Sequence, residues 1–399
     1  MQCRFENRLA HKALVLNDFM YRLDAWKPAD LEPVLQQIEA AGAQGCWTAL
    51  LLDYELGEWL EPGVLETRRA LTDGYAARPG SPASTPENGN PDPAHNRRPR
   101  LTALVFRQAQ HELPWGPVSN IASPALHWAP RIDRTTYRTH IEHLRQGIAR
   151  GDYYQVNYTF PIDIQTRLPA DHLYRHIACR HPSAHAAFIQ VDAGPDTPER
   201  TLLSFSPELF VEHTGTRLTV RPMKGTAPRH PDPEQDQALG QALRASPKNR
   251  AENVMIVDLL RNDLGRIATP GSVQVPALFD LEAYPSVWTL TSTITAEAPG
   301  TSLFELLQAL FPCGSITGAP KIAAMQAIRQ LEPYERGIYC GSIGWIAPSG
   351  DFSLNVAIRT LEMDGPGQGR FSVGGGIVYD SDPDQEWDEC LWKARLLNS

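Results

Sequence analysis

Positive charge is in short supply. The 399 residues carry 37 Lys and Arg against 46 Asp and Glu, a formal net charge of −9, whereas a nucleic-acid or membrane-surface partner calls for a basic patch or stripe. Long apolar runs are missing as well: nothing approaches the ~20 residues of a membrane span, and the stretch from Ala283 to Ala296 is rich in Thr and Ser. The first dozen residues hold Arg4, Glu6, Arg8 and Lys12 and no apolar signal core, so a cytoplasmic chain is expected. The six cysteines form no C-x-x-C pair and have no His at zinc spacing, which reads as reduced core thiols rather than a disulfide or zinc framework. What remains is a soluble protein with a small-molecule ligand, without nucleic acid or membrane as partner.

The length suits two to three domain-equivalents. From Gly74 to Pro99 the composition turns to Gly, Pro, Ser, Asn and Asp, ending in Arg97-Arg98-Pro99-Arg100; nothing there builds a packed face, and it reads as a mobile surface insertion with a solvated basic end. Strand-like runs come in series (Leu101 to Phe106, Tyr154 to Asp163, Ala186 to Val191, Leu202 to Phe205, Val287 to Ala296, Ser353 to Leu361). Helical periodicity enters irregularly, at Tyr137 to Arg150, Ala251 to Asp263, Pro320 to Leu331 and Pro383 to Leu397. Strands in series point to an α+β fold with largely antiparallel sheets. No repeat, P-loop or dinucleotide fingerprint is present.

The last helix carries a start signal, Asp382-Pro383-Asp384-Gln385, after which Glu386, Glu389 and Lys393 share one face at i, i+3 and i+7. By itself that pattern is satisfied by a solvated Glu389–Lys393 pair. Glu252 enters a helix whose remainder is nearly all apolar, and a carboxylate there needs a cation or strong hydrogen bonds. Two carboxylates on separate helices suit Mg²⁺, which keeps several waters. The run from Gly314 to Lys321 and the triple glycine Gly374-Gly375-Gly376 each fit an anion-binding backbone or a plain turn. Lys224, beside Gly225 and Thr226, becomes a nucleophile only where its amine is freed of its proton. Glu208 acts as an acid only where burial raises its pKa.

These segments together, with Gly151 to Asn157, Ala251 to Asp263, Pro270 to Val273, Tyr339 to Gly341 and Ile358 to Thr360, resemble the chorismate-utilising enzymes over about residues 130 to 399. The resemblance implies a two-sheet, largely antiparallel β sandwich with helices outside, as in anthranilate synthase component I. It also implies a chorismate-binding core over 126–399 and an N-terminal subregion of the same fold over 1–125. It places Mg²⁺ on Glu252 and Glu389, with Glu386 assisting through water. The substrate carboxylates fall to Arg359, Tyr339, Lys393 and the backbone of Gly375, Gly376 and Ile377, with Thr226 and Gly318 beside them.

Within the family, Gln155 stands where isochorismate and salicylate synthases resemble one another in carrying a Lys base, and Lys224 stands where anthranilate synthases carry a small residue. Both features resemble the aminodeoxychorismate synthase branch, which aminates chorismate at ring carbon 4. That implies Lys224 as covalent nucleophile, Glu208 as acid, and ammonia from a separate glutamine amidotransferase. Thr289 occupies a position where many members carry His, and Asn249 one where an acid is frequent. An anthranilate synthase and a non-catalytic chorismate-binding subunit are the alternatives.

Overall fold

The computed structural model describes residues 1–65, 98–118, 126–194, 197–284 and 287–398. Residues 74–97 of the expected insertion lie outside these. Its end does not: the Arg98 side chain is only 8% exposed and pairs with Glu362 and Asp364. The solvated reading of this basic end fails because two carboxylates remote in sequence supply its counter-charge.

Every strand pairing is antiparallel, and the eighteen strands among the described residues belong to one hydrogen-bonded series. The series begins at Gln155–Gln165 and runs through Gln368–Ile377, Thr360–Gly365, Arg200–Ser206, His185–Val191 and Gln2–Asn7 to Lys12–Ala25. It continues through Leu101–Glu112, Trp47–Leu52, Ser342–Ile346, Phe352–Asn355, Leu209–Thr214 and Arg217–Arg221 to Val287–Glu297. His127–Pro130 and Gly318–Ala319 pair with its first strand, and Met223–Pro228 and Gln274–Ala283 with its last. The antiparallel α+β layout is therefore as expected, but the hydrogen bonding joins all the strands into one ribbon. Phe160 and Phe371 from one end share a single apolar cluster with Ile294 and Val211 near the other, so the ribbon folds back until its ends share a core.

Two helices frame the space between those ends. Pro247–Gly265 starts at Ser246, whose hydroxyl accepts the Asn249 N–H, with Pro247 at its first position; Ile256, Val257, Leu260 and Leu264 make its buried stripe. Pro383–Ala394 is capped by Asp382, which accepts the N–H groups of Asp384 and Gln385. It buries Trp387, Cys390 and Ala394, with the Trp387 ring stacked on Phe160 at 5.1 Å. That packing places Glu386, Glu389 and Lys393 on the cavity wall, with Glu389 at its solvent-exposed edge. All six cysteines are free. No helix among the described residues is long and apolar enough to cross a membrane.

Candidate active site

A cavity of about 460 Å³ opens between the two ribbon ends and these helices. Lys224 enters it from Met223–Pro228, whose pairing slips between Lys224 and Thr226, leaving Gly225 as the extra residue at φ +82°. A glycine is needed there, both for the left-handed backbone and because a Cβ would lie 3.0 Å from Asn249 Oδ1. Thr289 donates its hydroxyl to the Gly225 carbonyl at 3.1 Å and so clamps the bulge that aims the amine. Lys224 Nζ donates to the Ser315 carbonyl at 3.3 Å. Burial lowers its pKa below the ordinary amine value, against the pull of the Glu208 and Glu252 carboxylates, and Lys393 adds to the lowering.

Glu208 follows the strand Arg200–Ser206. Its N–H donates to the Ser206 hydroxyl at 3.2 Å, and its carbonyl accepts the Val356 N–H at 3.1 Å. Its side chain is buried, and Oε1 accepts the Ser315 hydroxyl at 2.8 Å. Burial raises its pKa to about 7, with the Ser315 bond and the Lys224 charge opposing the rise. Near neutral pH it holds a transferable proton.

On the facing helix, Lys393 Nζ lies 2.9 Å from Glu389 Oε1 and donates to the Gly374 carbonyl at 2.7 Å. Burial disfavours the ammonium, but the Glu389 carboxylate more than restores it. In return Lys393 holds Glu389 below the ordinary carboxylate value. Glu386 accepts the Ser381 hydroxyl at 2.7 Å, and burial raises its pKa. Glu252, Glu386 and Glu389 all line the cavity, but no group of three His, Cys, Asp or Glu among the described residues stands close enough to cage a metal. That donor set fits Mg²⁺ held by one or two carboxylates, with water and a ligand completing the shell.

Arg359, Tyr339 and Thr226 line the same space. Arg359 is half-buried and has no ion pair with a carboxylate among the described residues, an arrangement suited to an anionic ligand. Burial pushes the Tyr339 phenol well above its ordinary value, leaving it a hydroxyl donor.

Gly374-Gly375-Gly376 form neither a turn nor an anion nest: the strand Gln368–Ile377 runs straight through them, paired with Thr159, Tyr158 and Asn157. Their missing side chains have another use. A Cβ on Gly375 would stand 3.2 Å from Glu386 Oε2, and one on Gly376 2.6 Å from Gln155 Nε2 and 3.5 Å from Lys224 Nζ.

Two expected positions fall outside the cavity wall. Ile377 is fully buried and pairs with Val156 in the core. Gly318, at φ +141°, is a close-packing glycine, since a Cβ there would lie 2.1 Å from the Gln155 carbonyl oxygen. At the start of the helix Lys321–Leu331, Lys321 is buried and paired with Asp263 at 2.8 Å, and the helix does not line the cavity. Conversely, Ser315, Asn157, Lys248, Thr289 and Trp392 line the cavity without having been expected as ligand contacts. Of these, Ser315 lies in the run from Gly314 to Lys321, Asn157 closes the run from Gly151 and Thr289 stands out in the sequence, whereas nothing points to Lys248 or Trp392.

The chain belongs to the family of chorismate binding enzymes, whose model matches residues 9–399. It is 40% identical over 311 residues to aminodeoxychorismate synthase component 1 of Klebsiella aerogenes, a match covering 76% of this chain and 67% of that protein. It is 38% identical to anthranilate synthase component 1 of Streptomyces coelicolor, over 69% of this chain and 54% of that one. The matched part thus spans about half to two thirds of these relatives' length. In fold, anthranilate synthase component I from Streptococcus pneumoniae superposes with a TM-score of 0.78 at 22% identity, over 99% of this chain and 93% of that one.

Proposed function

We propose that this protein is the chorismate-aminating component of an aminodeoxychorismate synthase, converting chorismate and ammonia to 4-amino-4-deoxychorismate, the precursor of p-aminobenzoate. The observation that carries the reading is the pair formed by Lys224 and Glu208: a half-buried amine below its ordinary pKa facing an acid near 7 in one cavity. Relatives of that name at about 40% identity support it, as does Gln155, a side chain unable to act as a cationic or basic lysine would.

In this reading the cavity lies between two layers formed by opposite stretches of the ribbon. Arg359, Lys393 and the Tyr339 hydroxyl hold the two substrate carboxylates. Glu252 and Glu389 would hold Mg²⁺, with Glu386 assisting through water, and the ion would supply positive charge against the ring carboxylate. The neutral Lys224 amine adds at ring carbon 2 as the carbon 4 hydroxyl departs, protonated by Glu208, as water. Ammonia then adds at carbon 4, the double bond returns, and the lysine amine leaves. The enolpyruvyl ether is untouched throughout. Ammonia comes from a separate glutamine amidotransferase, and the pair works in the cytoplasm.

The test is incubation of the purified chain with chorismate, Mg²⁺ and ammonium, the products being read by mass spectrometry. Aminodeoxychorismate without pyruvate is the expected outcome. Anthranilate with pyruvate, or isochorismate, would overturn the assignment. The anthranilate reading has one observation against it: Thr289 offers no imidazole for an aromatising proton transfer.

A further inference from the structure

Ser315 touches both members of the reactive pair. It sits in the single turn Gly314–Ile316, which is pinned on all sides. A Cβ on Gly314 would lie 2.5 Å from Leu259 Cδ2 on the helix bearing Glu252. The Ile316 carbonyl accepts from the Arg336 guanidinium at 3.1 Å, and the Thr317 carbonyl accepts the Asn157 N–H at 2.8 Å. The turn therefore presents Ser315 from a fixed backbone, with only 4% of the residue exposed.

We propose that Ser315 is the positioning residue of the acid–amine pair: its hydroxyl, donated to Glu208 Oε1 at 2.8 Å, fixes which carboxyl oxygen carries the transferable proton, while its carbonyl, 3.3 Å from Lys224 Nζ, fixes the amine. This role rests on the amination reading above. A hydroxyl has one proton to give, and here a neighbour leaves that proton free for Glu208. Cys313 Sγ lies 3.3 Å from Ser315 Oγ, and burial pushes its thiol up to about 12, so it remains S–H and acts as the donor in that contact. The chain runs thiol to hydroxyl to carboxyl. The Met223 backbone also hydrogen-bonds the Glu208 carboxyl, and with Oε1 engaged by the Ser315 hydroxyl, Oε2 is the oxygen this proposal assigns to the acid proton. The charged and titratable groups that act on Glu208 or feel its charge among the described residues are Lys224, Cys313 and Cys340, and none of them replaces the lost donor when Ser315 is truncated.

The experiment compares Ser315→Ala, which keeps the carbonyl to Lys224 but removes the hydroxyl, with Ser315→Thr, which keeps both. Titration of Glu208 in the ligand-free protein, followed by carboxyl ¹³C NMR and assigned with Glu208→Gln, is expected to move upward by about one pH unit in S315A, because a hydrogen bond to the ionised form is lost. It should stay near wild type in S315T. In turnover, S315A is expected to lose about 10- to 100-fold in kcat with KM for chorismate within about threefold, and S315T to recover most of it. An unmoved Glu208 midpoint in S315A, or a loss confined to KM, overturns the proposal. The NMR arm needs no turnover, so a wild-type protein that fails to aminate chorismate defeats the functional reading while the Ser315–Glu208 link is still decided.

Discussion

The Lys393 ammonium stands 2.9 Å from the Glu389 carboxylate, one turn away on the same helix, and reaches across to the Gly374 carbonyl at 2.7 Å. One side chain thus ties the acidic helix to the glycine strand on the opposite wall. It keeps its charge through that pairing, and an anionic substrate is met by a cation already in place. For Lys393→Met we expect a rise in KM for chorismate of about 10- to 100-fold, the size of a lost charge-assisted hydrogen bond, with a smaller change in kcat. Steady-state kinetics at saturating Mg²⁺ read this directly. An unchanged KM would confine Lys393 to bracing the strand.

The pH dependence follows from the reactive pair. Glu208 must be protonated to act, so kcat/KM is expected to fall as the pH rises through about 7. Lys224 must be neutral, so it sets the acid-side limb, below the ordinary lysine range. Stability carries the same signature. The native Glu208 keeps its proton to about 7, whereas the unfolded carboxyl releases it near 4.5. The native state binds more protons between those values, and stability drops as the pH rises across them. Glu208→Gln is expected to lose about 100-fold or more in rate and to flatten that decline in melting temperature between pH 5 and pH 8, as scanning calorimetry would show.

Much of this site is legible in the sequence because its chemistry is local in the chain. Glu386, Glu389 and Lys393 come from one helical face with a readable cap, and Glu252 stands out as a carboxylate entering an apolar helix. The antiparallel character follows from strands in series. Long-range partners leave no such trace. Nothing near Arg98 announces that Glu362 and Asp364 bury its charge, and nothing near Ser315 announces that it will bridge Glu208 and Lys224. Glycine misleads in a particular way: Gly318 and Gly376 both look like loop residues, but they are glycine because another chain segment approaches where a Cβ would be. Close approach and turn have the same composition, and only the fold separates them.

Gly376 provides a steric test of that distinction. A methyl group there would meet Gln155 Nε2 at 2.6 Å and sit 3.5 Å from Lys224 Nζ. The Gln155 side chain is buried and has to shift, and the shift takes place beside the amine. Gly376→Ala is therefore expected to cost about 100-fold in kcat, the scale of an ångström-level misplacement at a reacting centre, while the melting temperature stays within a few degrees. Kinetics beside a thermal melt decide it. Equal damage to both would mean that the glycine serves packing alone.

The charge network remote from the cavity answers to stability instead. Glu362 is buried and accepts from Arg98, Arg200 and Arg370, while Arg200 also pairs with Asp53 at 2.8 Å. These ties link the strand Thr360–Gly365 to Arg200–Ser206 and to the segment after Trp47–Leu52. Removing one carboxylate leaves several guanidinium groups short of a buried partner, a loss that water does not make good inside the core. Glu362→Ala is expected to destabilise the fold by about 3–5 kcal/mol in urea unfolding, and Glu362→Gln by less, since the amide oxygen still accepts from one arginine. Neither change touches the cavity, so at a temperature where the variants stay folded their KM for chorismate should match the wild type. A shifted KM with unaltered unfolding would mean that the network acts on the site and not on the fold.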